Sequence, residues 1–354
     1  MILPIPALDT LPVAWGWFQG LLMLMFPLHL LLMNAMLGFA VISLYSLLKG
    51  GKTDRRLAYE LAKALPVLIA FAVNFGVATL LFLQALLGNF FYTSSVLMAV
   101  YWLCVPAILI VAYYAAYIYD FRFDSLGKAG AVPIALATAL FFTIAFLFTS
   151  NTTLMIEPIR WSGYFSDPRG TLLDAGSGAM WARYLHFVTS GLAVGGLSVA
   201  VFGRWKARLD PPLGERAVKV GMHSFTTLTA LQLGLGVWYL VSLPRPVMLL
   251  FMGGGKAATA LLVAGLTLTI AALVVGFLRK VALSAGLAVP LVFVMAFMRD
   301  AVRSGSLKPF YAPETLAVAP EYSPLLVFAV TLVLGAAVIV WMVRKTWEVY
   351  RDAD

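Results

Sequence analysis

The chain reads as a succession of apolar runs, each closed by a short polar or basic connection. The hydrocarbon core of a bilayer takes about 20 residues of α-helix to cross. The runs therefore predict nine transmembrane helices, near 21–48, 64–88, 94–119, 129–149, 181–203, 219–243, 256–278, 281–301 and 323–343. The first run begins near residue 12 and is interrupted by Pro27, which predicts a short interfacial helix over 9–20 ahead of the first span. Two connections are long enough to fold over helix ends and to dock a partner: 150–180, with Trp161, Tyr164 and a glycine-rich end, and 302–322, punctuated by prolines. The expected fold class is all-α, a single polytopic membrane domain. Residues 1–150 form its first four-helix bundle, 151–180 an outer loop, 181–301 a second four-helix bundle, and 302–354 an outer loop and the last helix.

Composition supports lipid as the solvent: 62% of the residues are hydrophobic and 12% charged, more apolar surface than one soluble core can hide. The net charge of +9 does not point to nucleic acid, because the basic residues lie between apolar runs rather than along a polar face. Sorted by alternate connections, 17 of the 25 lysines and arginines fall on one side, among them Lys49, Arg55, Arg56, Lys63, Arg204, Lys206, Lys219, Arg279 and Lys280. Cytoplasmic loops retain positive charge. That side is therefore read as the cytoplasm, with the N-terminus outside, the C-terminus inside, and the cytoplasmic (inner) membrane as the location. The first twenty residues lack the basic segment and small-residue cleavage site of a secretory signal, so the N-terminus is expected to be retained.

Polar groups within the bilayer are costly and need a partner or a task. Here they are His29, Asn74, Gln84, His186, His223, Gln232 and Lys256, with Arg183, Arg299 and Asp300 near helix ends. The absence of a carboxylate from the middle of any predicted span weighs against a proton-coupled transporter. His29 and His186 lie on odd-numbered helices that enter from the outside, which predicts a similar depth one to two turns below the outer surface. A neutral imidazole at that depth suits axial ligation of haem iron; the competing reading is a histidine satisfied by a backbone carbonyl or a serine. Ser190 shares the face of His186, and Gly191, Gly195 and Gly196 leave room for a macrocycle or for another helix. Arg183 lies one turn outward, where it can pair with a haem propionate or reach the headgroups. His223 enters from the inner side, fitting an interfacial hydrogen bond, a quinone contact or an inner haem. Met248, Met252, Met295 and Met298 lie near the outer ends of the seventh and eighth helices and offer thioether ligands. Cys104, the single cysteine, is expected to be a buried packing residue; alone, it excludes an internal disulfide, a cysteine cluster and a CxxCH haem attachment.

The segments FPLHLLLMNAMLGF, AFAVNFGVATLLFLQALLGNFF, SNTTLMIEP and WARYLHFVTSGLAVGGL resemble, in order, the first, second, fourth and fifth helices of subunit I of the cytochrome bd quinol oxidases. The likeness covers roughly the first 240 residues, NFGVAT and LHFVTSG being its most specific stretches. It implies that His29 is the axial ligand at the oxygen-reducing haem and His186 the ligand of the low-spin haem b that takes electrons from quinol. Departures accompany it. Gln84 stands where the family holds a glutamate, the third helix lacks the family's acidic residues, and Met295 stands in place of the eighth-helix glutamate ligand. The low-spin methionine position falls on Ala258, leaving Met252 as a substitute, and the outer quinol loop is reduced to LPRPVM.

The expectation is therefore a haem b-bearing subunit of a multi-subunit quinone oxidoreductase. His29 and His186 are its iron ligands, Met252, Met295 and Met298 the candidate sixth ligands, and Arg183, Lys256 and Arg299 the candidate propionate partners. Membrane lipid, quinone, and a multihaem c-type cytochrome or iron–sulfur protein are the expected partners. The alternatives are a haem-free quinone-binding anchor, a terminal bd-type oxidase and a transporter.

Overall fold

Nine helices long and apolar enough to cross a bilayer form among the described residues of the computed structural model, which are 6, 10–166 and 168–351. The structure is 87% helical and contains no strand among those residues. The helices are α1 (Trp15–Lys49), α2 (Lys52–Leu97), α3 (Ala99–Phe121), α4 (Ala131–Met155), α5 (Gly178–Lys206), α6 (Pro211–Val241), α7 (Lys256–Phe277), α8 (Val281–Leu307) and α9 (Tyr322–Arg351). The protein is thus an all-α, multi-pass membrane protein.

The short helix expected over 9–20 does not form, although residues 7–9 lie outside the described residues. From Trp15, α1 runs unbroken through Pro27 to Lys49. In an apolar setting no water competes for the carbonyl that Pro27 leaves unbonded, so a proline there need not end the helix. The residues just before α1 pair instead with the segment ahead of α9: Leu11 N–H donates to Ala317 O (2.8 Å) and Ala319 N–H to Leu11 O (2.9 Å).

Helix α2 is far longer than the sequence pattern indicates. Its 46 residues span about 69 Å at 1.5 Å per residue, against a hydrocarbon core of about 30 Å. The apolar run near 64–88 is only its lipid-embedded middle. Leu87 leaves helical geometry (φ −131°, ψ 26°), bending the outer end, and residues 94–97, expected in the third helix, belong to α2. Every fourth residue of the inner part, Leu57, Leu61, Leu65 and Ile69, is fully buried. That stripe packs against α1, α3, α4 and α6 in the principal core.

The closest packing joins α1 to α5 and α5 to α6. A Cβ added at Gly38 of α1 would sit 2.3 Å from the Gly195 carbonyl carbon, and one at Gly221 of α6 would sit 2.4 Å from Gly196 O. Backbones this near each other require residues without side chains. Gly191, Gly195 and Gly196 therefore clear space for helices: Gly191 faces Asn34, Gly195 faces Gly38, and Gly196 faces Ser224 and Gly221. Of the two uses expected for these glycines, a macrocycle or another helix, the structure shows the helix.

Ion pairs gather the basic connections at one end of the bundle, called inner below. Lys206 bonds Glu60 (2.7 Å), Arg216 bonds Asp54 (2.6 Å), Arg55 pairs with Asp124 (3.5 Å), and Arg56 pairs with Asp210. The grouping matches the charge sorting read from the sequence. At the outer end, Trp161 is buried and donates to Leu154 O (2.9 Å), and Arg160 pairs with the fully buried Asp174, which folds the 156–177 connection over the helix ends. Tyr311 OH donates to Leu86 O (2.6 Å) from the other long connection. No residue of Tyr322–Glu348 is buried, so α9 stands apart from the rest of the bundle. Cys104 is exposed on α3, contrary to the expected buried role, with its thiol donating to Val100 O (3.2 Å).

Within the core, Tyr119 OH lies 2.8 Å from Ser43 Oγ, which itself donates to Ala58 O (2.9 Å). Tyr119 is therefore the donor of the pair. Replacing Tyr119 by phenylalanine should cost about 1 kcal/mol, because Ser43 keeps its carbonyl partner. Replacing Ser43 by alanine strands a buried phenol and should cost more, about 1–3 kcal/mol. Thermal unfolding in detergent ranks the two, and the reverse order would contradict this reading of the network.

Candidate haem site at the outer end

The site is built in two layers across α1, α2, α5, α6 and α8. The outer layer lines a cleft whose walls include Phe26 of α1, Thr79 of α2, Arg183 and Phe187 of α5, Tyr239 of α6, and Arg299, Asp300 and Arg303 of α8. One turn deeper, on the same helices, lie His29, Gly76, His186, Gly236 and Met295. The offset is three residues on α1, α2, α5 and α6 and four on α8, in the sense each helix runs. The two histidines therefore share one level, as the sequence predicts.

Each imidazole is fixed by the neighbouring helix. His29 Nδ1 lies 2.9 Å from Ala72 O, and a carbonyl only accepts, so Nδ1 carries the proton and Nε2 keeps a free lone pair. Four residues on along α2, Gly76 faces the ring so closely that a Cβ would lie 2.8 Å from His29 Cε1. His186 is buried and held by α6, with Gln232 Nε2 2.8 Å from its Nδ1 and 3.0 Å from its carbonyl. Gly236, again four residues on, faces the ring, where a Cβ would lie 3.4 Å from His186 Cε1. With the amide so turned, Gln232 donates to Nδ1 and the proton of His186 sits on Nε2. The buried Gln232 Oε1 has no partner. Turning the amide end for end would free the Nε2 lone pair only by placing Oε1 against the His186 carbonyl oxygen, an acceptor facing an acceptor, in place of the present 3.0 Å bond.

The electrostatics are one-sided. Asp300 is the only carboxylate lining the cleft, and it is taken by Arg303 and by Gln19 Nε2 (2.9 Å). Arg183, 7% exposed, donates to Thr153 Oγ1 (2.7 Å) and Tyr239 OH (3.1 Å). The Arg299 guanidinium lies 4.3 Å from the Phe26 ring centroid and 6.0 Å from that of Phe187, bridging the two histidine-bearing helices. Neither Arg183 nor Arg299 forms an ion pair among the described residues. Two guanidinium charges held in a largely apolar cleft whose one carboxylate is already engaged by Arg303 and Gln19 favour an anionic group between them.

The other predicted residues are scattered. Met295 stands at the histidine level on α8, whereas Met298 is turned toward Gly265 of α7, which draws it away as a ligand. Met252 is 61% exposed on the outer turn before α7, and Lys256 is exposed at the N-terminus of that helix. Neither reaches the cleft, because Gly253, at φ 105°, and the turn around it carry that segment over the surface. Gln84 is half-buried on α2 and does not line the cleft, and His223 is exposed near the inner end of α6. Ser190 donates back to Phe187 O (3.0 Å) rather than to an imidazole. Sequence reading missed Ala72, Gly76, Gly236, Thr153, Tyr239 and Arg303. The spacing Gln232, Gly236, Tyr239, which repeats one helical face, was the available signal.

The donor set fits haem. Nδ1 of His29 is anchored so that Nε2 is free and the arginines match propionates, whereas His186 frees its Nε2 only if Gln232 gives up its bond to the His186 carbonyl. No cluster of three or more histidine, cysteine or acidic side chains forms among the described residues. The whole cleft measures about 560 Å³ with its open mouth, but the void between the side chains is only about 40 Å³. As the side chains stand, that void does not admit a macrocycle.

No protein-family model matches the chain, and no curated protein matches it.

Proposed function

We propose that this chain is the haem b-bearing membrane subunit of a multi-subunit quinone oxidoreductase, a divergent relative of cytochrome bd subunit I. In this reading it lies in the cytoplasmic membrane and moves electrons between the quinone pool and an extracytoplasmic redox partner. A multihaem c-type cytochrome or an iron–sulfur protein would suit that role. The observation that carries the proposal is the pair of imidazoles at one level, each anchored through Nδ1 and faced by a glycine, beneath two guanidinium groups that have no carboxylate.

Haem iron held there would supply one-electron transfer. His29 and His186 would hold it through Nε2, with Met295 the thioether at their level. The Ala72 carbonyl fixes the ring and the proton of His29, and the Gln232 amide fixes the ring of His186, whose Nε2 would have to give up its proton to bind iron. Arg183 and Arg299 would hold the propionates, and the surrounding apolar residues exclude water.

One observation favours a second reading, a haem-free quinone-binding anchor. As Gln232 sits, His186 presents Nε2–H, a donor suited to a quinone carbonyl. A pyridine haemochrome assay on protein purified from its native membrane separates the two. The first reading predicts haem b in stoichiometric amount; protein that is folded yet free of haem b supports the anchor and rejects the first.

A further inference from the structure

At the inner end, away from His29 and His186, a cleft of about 710 Å³ opens between the end of α5, the start of α6 and the turn leading into α8. Its rim carries Arg204, Lys219, Arg279 and Lys280 against a single acid, Glu215. All four cations are exposed, and none forms an ion pair among the described residues. Their neighbours at the same end behave differently: Lys206 is bonded to Glu60, Arg216 to Asp54 and Arg56 to Asp210. Protein carboxylates thus pair these three cations, while none pairs the four at the cleft.

The turn between α7 and α8 reinforces the pattern. Arg279, at φ 53°, is the only non-glycine residue with positive φ among the described residues. That backbone region favours glycine, yet the position carries a cation at the rim of the cleft. Beside the cations the wall turns apolar, with Val281, Ala282 and Leu283, and Leu283 is half-exposed. A positive rim above an apolar wall at the membrane surface matches an amphiphile with an anionic head better than a free anion.

We propose that this cleft binds an anionic phospholipid, its phosphate held among Arg204, Lys219, Arg279 and Lys280 and an acyl chain lying along Val281 and Leu283. The site is separate from the outer haem site and does not depend on it. The test is native mass spectrometry of the full chain taken from nanodiscs of phosphatidylcholine doped with diphosphatidylglycerol. The R279Q/K280Q variant should retain the anionic lipid about thirtyfold less well than wild type, at about fivefold per cation removed near an anionic surface. R204Q/K219Q should behave alike, so that a folding defect in one pair does not decide the matter. R208Q, an exposed cation outside the cleft, should retain lipid as wild type does. R279G relaxes the backbone and deletes one charge, and should lose about fivefold in retention. Equal retention by wild type and both double variants would overturn the proposal. So would displacement of the lipid by millimolar inorganic phosphate, which would assign the cleft to a free anion.

Discussion

Replacing Gly195 by alanine is expected to separate α1 from α5 and to cost about 3 kcal/mol or more of stability. The added Cβ would lie 2.3 Å from Asn34 O and 2.7 Å from Gly38 Cα, both backbone atoms that no rotamer change can move. Overpacking against movable side chains costs about 1–3 kcal/mol; here the whole helix must shift. A control lies on α6, where a Cβ at Gly234 meets nothing within 4 Å. Gly234→Ala should be neutral or stabilising by up to about 1 kcal/mol, as an open helical glycine replaced by alanine usually is. Thermal unfolding in detergent reads the difference. Because α1 and α5 carry the two histidines, Gly195→Ala should also diminish any haem the protein holds, whereas Gly234→Ala should not. Equal stability of the two variants would show that the Gly38–Gly195 contact is not the hinge of this bundle.

The bilayer explains why so much of the fold could be read from the chain. Each crossing needs its own apolar run, so nine spans and their alternation are visible without tertiary information. What hydropathy does not register is structure outside the hydrocarbon. The ends of α2, from Lys52 to Lys63 and from Asn89 to Thr93, are polar enough to look like connections, yet they continue the helix. Pro27 gave the opposite error, since a proline breaks helices in water more readily than in lipid. The small residues of α5 were legible as a feature but not in purpose, because a glycine clears space equally for a ring or a neighbouring backbone, and only the positions of Gly38 and Gly221 decide.

The site was legible to a similar degree. His29, His186, Arg183 and Arg299 fall together, because each stands at a regular offset on a helix whose direction the charge sorting already gives. Met252 and Lys256 do not join them, since both lie at a turn whose path depends on Gly253 rather than on any periodicity. The groups that orient the imidazoles, the Ala72 carbonyl and the Gln232 amide, belong to other helices. One of them is a backbone atom with no sequence signature at all.

The second large effect follows from the proposed function: if the protein holds haem, removing the imidazoles should release it. His29 leaves Nε2 unprotonated by virtue of the 2.9 Å contact between its Nδ1 and Ala72 O. Alanine there deletes the only nitrogen so prepared on α1, and alanine at His186 deletes its counterpart on α5. Neither change adds bulk, so the helix contacts at Gly38 and Gly195 should survive. Gly76→Ala attacks the same point from the other side, by pushing the His29 ring from its place. It should lower haem content while leaving every proposed ligand present.

The most direct measurement is the absorption spectrum of the His29→Ala/His186→Ala double variant, purified folded and monodisperse beside wild type. The account predicts a Soret band and reduced b-type α band in wild type, near-complete loss of both in the double variant, and partial return of the bands when imidazole is added. A double variant that keeps the wild-type spectrum would contradict it.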